Sequence, residues 1–154
     1  MMQSLNGDQS RVIMESARKT YEKLSSKKKG IHPFKGSCYV ISSLIYHIAN
    51  EILQIPDEYN KIYQCYFCVN TNSHLSHHFN TLLCKNIDAS IDQFNPIYVG
   101  FEFSPYGDND QYYKDVKEVE PLITTEVKEL LNYCIIFYGQ EIESAFRNKK
   151  TLKK

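Results

Sequence analysis

The sequence has no tryptophan, no net charge and no long apolar run. Eighteen basic residues are balanced by 18 acidic ones, which argues against nucleic-acid recognition through a strongly basic whole-protein field. No stretch approaches the roughly 18 consecutive apolar residues of a membrane helix. The opening Met1-Met2-Gln3-Ser4-Leu5 lacks the basic start and apolar stretch of a secretory signal. The five cysteines are odd in number and irregularly spaced, so a disulfide framework would leave one over. They read as reduced thiols, each by default a small buried residue. Recognition is therefore left to a local cleft, and the expected location is the cytoplasm, or another cell into which the protein is delivered without a signal peptide.

What is present is an ample core. Apolar residues make up 42% of the chain, with 12 tyrosines and 8 phenylalanines supplying the aromatic surface. That composition specifies a folded globule rather than a disordered chain, and 154 residues suit one domain. The expectation is a single domain over 1–154, with 1–9 and 148–154 as flexible tails.

Residues 10–26 carry Val12, Ile13, Ala17, Tyr21 and Leu24 at helical spacing, closed by Lys27-Lys28-Lys29-Gly30. Pro33 and two glycines make 31–36 a loop. The clearest helix is 37–53. Its wide apolar face of Val40, Ile41, Leu44, Ile45, Ile48, Ala49, Ile52 and Leu53 marks it as central and buried, with Ser37 as N-cap. Strands are expected at 61–70, 77–83, 87–94 and 96–103, with a polar loop at 70–76 and a turn-rich one at 104–110. A last helix over 124–147 carries Val127, Leu130, Leu131, Ile135, Tyr138, Ile142 and Phe146 on one side. Consecutive strands without intervening helices pair antiparallel, so the class is α+β.

The segment Gly36-Ser37-Cys38-Tyr39-Val40 places a cysteine in the first turn of the buried helix, behind a glycine loop. The partial positive charge at a helix N-terminus favours thiolate, and its free backbone N–H groups can hold an oxyanion. Downstream, Ser73-His74-Leu75-Ser76-His77-His78-Phe79 offers a histidine to accept the thiol proton. Then Ile87-Asp88-Ala89-Ser90-Ile91-Asp92-Gln93-Phe94 offers an aspartate to orient the imidazole. Along a strand His77 and Phe79 share one face, and His78 and Asn80 the other. The odd set suits packing against the Cys38 helix, so His77 is the catalytic candidate and His78 is expected to point away. A turn at Lys85-Asn86 has the better turn chemistry and brings Asp92 near His77; a turn at Leu83-Cys84 brings Asp88 there instead. Asn80, Gln93 and His32 are candidate polar groups of the site, while His74 reads as a loop residue and His47 as part of the polar side of its helix.

These pieces resemble the transglutaminase-like branch of the papain-like cysteine hydrolases. That branch shows a small-residue loop before a helix-starting Cys, an H-x-W-type strand, and a strand with an apolar-Asp pair. The run Ile87 to Phe94, followed by Pro96-Ile97-Tyr98-Val99-Gly100 and Ser104-Pro105, is similar to small bacterial proteins of that superfamily with an I-D-x-T-A-D-Q-F segment. The likeness covers about 35–106, and Phe79, Ser90 and Ile91 stand where the pattern has Trp, Thr and Ala. It implies a papain-like core, with the Cys helix packed on three or four antiparallel strands and flanked by terminal helices. It also favours Asp88 over Asp92 as the third member of a Cys38-His77-Asp88 triad. The implied activity is cysteine-dependent hydrolysis or acyl transfer at an amide or carboxamide of a protein or peptide, as a peptidase, amidase, deamidase or transglutaminase. No cofactor, nucleic acid or membrane partner is implied.

Two other readings stand beside it. One is a non-catalytic interaction domain on the same scaffold, with Phe101, Phe103, Tyr112 and Tyr113 as its binding surface. The other is a zinc module on Cys65, Cys68, His74 and His77 or His78, although a strand pattern turns the two thiols to opposite faces.

Overall fold

The computed structural model describes residues 4–25, 37–70, 73–90, 101–103 and 113–152. In chain order the elements are α1 (Gly7–Leu24), α2 (Cys38–His47), β1 (Asn60–Asn70), β2 (Ser73–Leu82), β3 (Lys85–Asp88), β4 (Phe101–Phe103), β5 (Tyr113–Val119) and α3 (Thr125–Leu152). A π-helical turn, Ile48–Ile52, prolongs α2, and a short 3-10 turn, Asp57–Tyr59, leads into β1. The strands form one antiparallel sheet of order β4-β3-β2-β1-β5. The class is α+β. Among the described residues, no helix is long and apolar enough to cross a membrane.

Helix α2 is apolar on most sides and is buried accordingly. Ile41, Leu44, Ile45, Ile48 and Ala49 join Ile13, Met14, Ala17 and Tyr21 of α1, Leu130, Leu131, Cys134 and Ile142 of α3, and Leu82 and Ile87 of the sheet in one core. Ile135, expected on the inner side of α3, is 40% exposed; Cys134 takes the inward position. The polar residues of α2 also have work. Tyr39, Ser43 and His47 recur at helical spacing and hold the segment between β5 and α3. Tyr39 donates to the Glu120 carbonyl, Ser43 accepts from Leu122 N–H at 2.9 Å, and His47 Nε2 lies 2.9 Å from the Leu122 carbonyl.

Several expectations are corrected. Residues 5–9 are not a tail: Asn6 and Gln9 form a reciprocal capping box that starts α1 at Gly7, and Leu5 before the cap is buried. At the other end α3 runs on to Leu152. The polar segment 70–76 is mostly strand, because Asn70 already pairs with Ser73 and Cys68 with His74. Among the described residues the sheet has five strands, and β5 lies where the sequence pattern predicts none. Its register slips between Gln64 and Tyr66 of β1, where β5 carries an extra residue and Asp115 turns to φ 53°. Such a bulge breaks the period-two pattern by which strands are recognised. The 27–29 lysine run, His32, 91–100 (with Asp92, Gln93 and most of the fourth expected strand) and 104–112 (with Tyr112) lie outside the described residues.

The β2–β3 turn decides which aspartate meets the histidine. It falls at Leu83 and Cys84, with φ 48° and 69° respectively, not at Lys85-Asn86. Two left-handed residues make the tight connection that suits a twisted hairpin, although neither is a natural occupant. Tertiary contacts hold it: the Leu83 N–H donates to the Tyr59 carbonyl, its own carbonyl accepts from Leu5 N–H, and its side chain is buried. In this register Asn80 pairs with Ile87, and Asp88 at the strand end falls diagonal to His77.

Candidate active site

Asp88 is fully buried, and a buried carboxylate persists only where donors surround it. It has three. His77 Nε2 lies 2.6 Å from Oδ2, Tyr113 donates its hydroxyl to the same oxygen at 2.8 Å, and Ser90 N–H donates to Oδ1 at 3.3 Å. The last contact is an Asx-turn, in which the side chain of the aspartate captures the amide two residues on and bends the chain out of β3. Arg18 of α1 fastens the bend by donating to the Ala89 carbonyl at 2.6 Å.

His77 is also fully buried. Its ring lies among Phe67 and Tyr113, in an aromatic layer completed by Cys65, Phe79 and Tyr63. Burial alone would drive the imidazole neutral. The negative charge of Asp88, its hydrogen bond and the Cys38 thiol outweigh burial and raise His77 to about 9.

Cys38 opens α2 and is 8% exposed. Ser37 occupies the cap position but makes no side-chain cap, because its hydroxyl hydrogen-bonds with the Tyr21 hydroxyl of α1. Burial pushes the thiol up; hydrogen bonds to His77 and His78, then their charges, outweigh it and bring Cys38 down to about 6. Near neutrality the two shifts describe a thiolate beside an imidazolium. The other cysteines differ in kind. Burial pushes Cys65 far above the ordinary thiol range and Cys134 to about 11. Cys84 is exposed at the hairpin turn, contrary to the expectation that every other thiol is buried.

The faces of the sheet are assigned differently from the expectation. It is the even side of β2 that carries α2: Asn80 donates its side-chain amide to the Ser42 carbonyl at 2.9 Å, and Leu82 joins the main core. Asn80 is thus a structural tie. The odd side carries the aromatic layer. His78 does not point away; its Nδ1 is 3.4 Å from Cys38 Sγ, and its ring stacks on Tyr39 at 4.1 Å, with 5° between the planes. The first turn of α2 meets β2 at the His77–His78 pair, so adjacent residues on opposite faces both reach the thiol. Two members of the site, His78 and Tyr113, were thus missed. A doubled histidine is visible in the sequence. Tyr113 has no comparable signal, because the bulge hides its strand.

Cys38, His77 and Asp88 are brought together. The zinc set is not: Cys65 and Cys68 are three apart on β1 and turn to opposite faces, and among the described residues no group of three His, Cys, Asp or Glu side chains is placed to hold a metal ion. Tyr113, assigned above to an aromatic binding surface, is buried, and among the described residues the large apolar side chains with the greatest exposure are Ile136 and Phe137 of α3 and Ile123 before it. The class defined by fold and site is an α+β protein with a Cys–His–Asp constellation at a helix start. No family model, curated protein or solved structure matches the chain.

Proposed function

We propose that the protein is a cysteine-dependent hydrolase or acyltransferase acting on an amide or carboxamide, on a scaffold of the papain-like, transglutaminase-like kind. The observation that carries this reading is the buried Asp88–His77 pair set against a helix-starting thiol lowered to about 6. The Cys38 thiolate attacks the carbonyl carbon, and backbone N–H groups at the start of α2 receive the developing oxyanion. The tetrahedral intermediate collapses with cleavage of the C–N bond. His77 gives its proton to the departing nitrogen, leaving a thioester on Cys38. Asp88 holds the imidazole by Nε2, which leaves Nδ1 for this exchange. Water then releases an acid, giving a peptidase, amidase or deamidase; an amine gives a transglutaminase. A protein or peptide substrate and a site of action in the cytoplasm, the protein's own cell's or another's, fit this chemistry.

The test is thiol mapping at pH 7 with limiting iodoacetamide, which also meets the exposed Cys84. Faster modification of Cys38 than of Cys84, lost in Cys38→Ala and strongly slowed in His77→Gln, supports the reading. Modification of Cys38 no faster than that of Cys84 overturns it.

A further inference from the structure

The geometry points to His78 as a second catalytic imidazole, the general base that activates the water or amine resolving the Cys38 thioester. This rests on the reading of Cys38 as nucleophile and divides the remaining work between the two histidines. His77 has no exposed surface, and its Nε2 is committed to Asp88. Its Nδ1 serves the sulfur and the nitrogen leaving the carbon bonded to it, whereas a water or amine arriving later from solvent meets the partly exposed His78 first. His78 is partly exposed and has Nδ1 3.4 Å from the same sulfur. Its ring is built into place: it stacks face to face on Tyr39, the residue after the nucleophile, and the Tyr39 hydroxyl is tied to the Glu120 carbonyl. An imidazole clamped in this way presents one edge to the reacting atom, which general-base catalysis requires.

In the resting pair the sulfur is anionic and Nδ1 of His78 serves it as a donor. Acylation removes that negative charge; the ring then gives its Nδ1 proton to solvent and carries its remaining proton on Nε2, so that Nδ1 can accept. A water oxygen adds to the thioester carbonyl carbon while its proton passes to Nδ1 of His78. The tetrahedral intermediate then breaks its C–S bond, the electron pair returns to sulfur as thiolate, and the acid departs as carboxylate. One proton has gone to His78 in place of the one it gave up, and the other leaves with ionisation of the acid. With an amine in place of water, the same proton transfer gives an amide.

The test uses p-nitrophenyl acetate, which separates acylation (a burst of nitrophenolate) from deacylation (the steady rate). His78→Gln should keep a burst of full amplitude and lose about a hundredfold in the steady rate, with an acetyl group persisting on Cys38 in peptide maps. In His78→Ala, added imidazole should restore the steady rate, a response that a purely packing role of the ring does not give. An unchanged steady rate in His78→Gln overturns the inference, as does a parallel loss of burst and steady rate, which places His78 in acylation instead. Absence of any burst or Cys38 acetylation in the wild-type protein overturns the nucleophile reading itself. Because the ring is partly exposed, circular dichroism should show the same fold in both variants.

Discussion

Tyr113 and His77 share one oxygen of Asp88: the phenol donates to Oδ2 at 2.8 Å and the imidazole at 2.6 Å. The two donors arrive from different strands, β5 and β2, so the carboxylate joins two of the sheet's strands beneath the site. Their roles should separate on mutation. Tyr113→Phe removes a buried hydrogen bond to a charged group and should cost about 1–2 kcal/mol in urea denaturation. His77 keeps its carboxylate, so iodoacetamide modification of Cys38 at pH 7 should change by less than about threefold. Asp88→Asn removes the charge that holds the imidazolium, and should slow the same modification by at least about tenfold. Equal slowing in both variants would make Tyr113 part of the proton-holding machinery.

The pH dependence of Cys38 follows from the two shifts. The thiol is held at about 6 and the imidazolium at about 9. In a Cys84→Ser background, modification of Cys38 should rise with an inflection near pH 6, far below that of an ordinary thiol. Under the proposed mechanism, turnover of an amide or ester substrate should fall again as pH passes about 9, where His77 loses the proton that this mechanism assigns to the leaving group. In His77→Gln the rising limb should move toward the ordinary thiol range. An inflection already near 9 in the parent would contradict the ion pair.

Stability should follow the same imidazole. The folded protein binds the His77 proton more tightly than the unfolded chain, with the value moving from 6.5 to about 9. Between those values the native state carries an extra proton on His77, but the lowered Cys38 thiol carries one fewer, so the two contributions oppose each other in the parent. In a Cys38→Ala background, where the thiol is gone and Asp88 still holds the imidazolium, the stability relative to the Cys38→Ala/His77→Gln double variant should be greatest below pH 6.5 and decline as pH rises toward 9. Urea denaturation of these two variants at pH 6, 7.5 and 9.5 measures it; a difference that grows with pH would reverse the assignment.

Cys84 sits at φ 69° in the hairpin turn and is exposed. An L-residue there carries a left-handed penalty of roughly 1–2 kcal/mol that glycine escapes, offset in part by glycine's greater unfolded-state entropy. Cys84→Gly should therefore gain about 0.5–1 kcal/mol, raise the Tm by roughly 1–4 °C, and leave Cys38 modification unchanged. A fall in Tm would show that the cysteine side chain stabilises the turn.

Elements with strong local signals are legible in the sequence. The apolar face of α2 and the aromatic and β-branched run of β1 are periodic over many residues, and burial enforces such patterns. The sequence also marked Cys38, because a thiol behind a glycine loop at a helix start is a local feature. His77 and Asp88 were singled out from the order of residues and a resemblance, without the geometry that joins them. The hairpin turn is set by tertiary contacts, since Leu83 and Cys84 have poor turn chemistry and Leu83 is held there by its hydrogen bonds with Tyr59 and Leu5. A two-residue displacement of that turn decides which aspartate stands beside His77. Strand alternation reports which side chains share a face, but not which face receives a helix. Hence α2 lies on the even side, and His78 reaches the thiol. The same limit hid Tyr113, whose strand is bulged and mostly exposed, and whose place under the sheet is set by pairing with Phe67 far away in the chain.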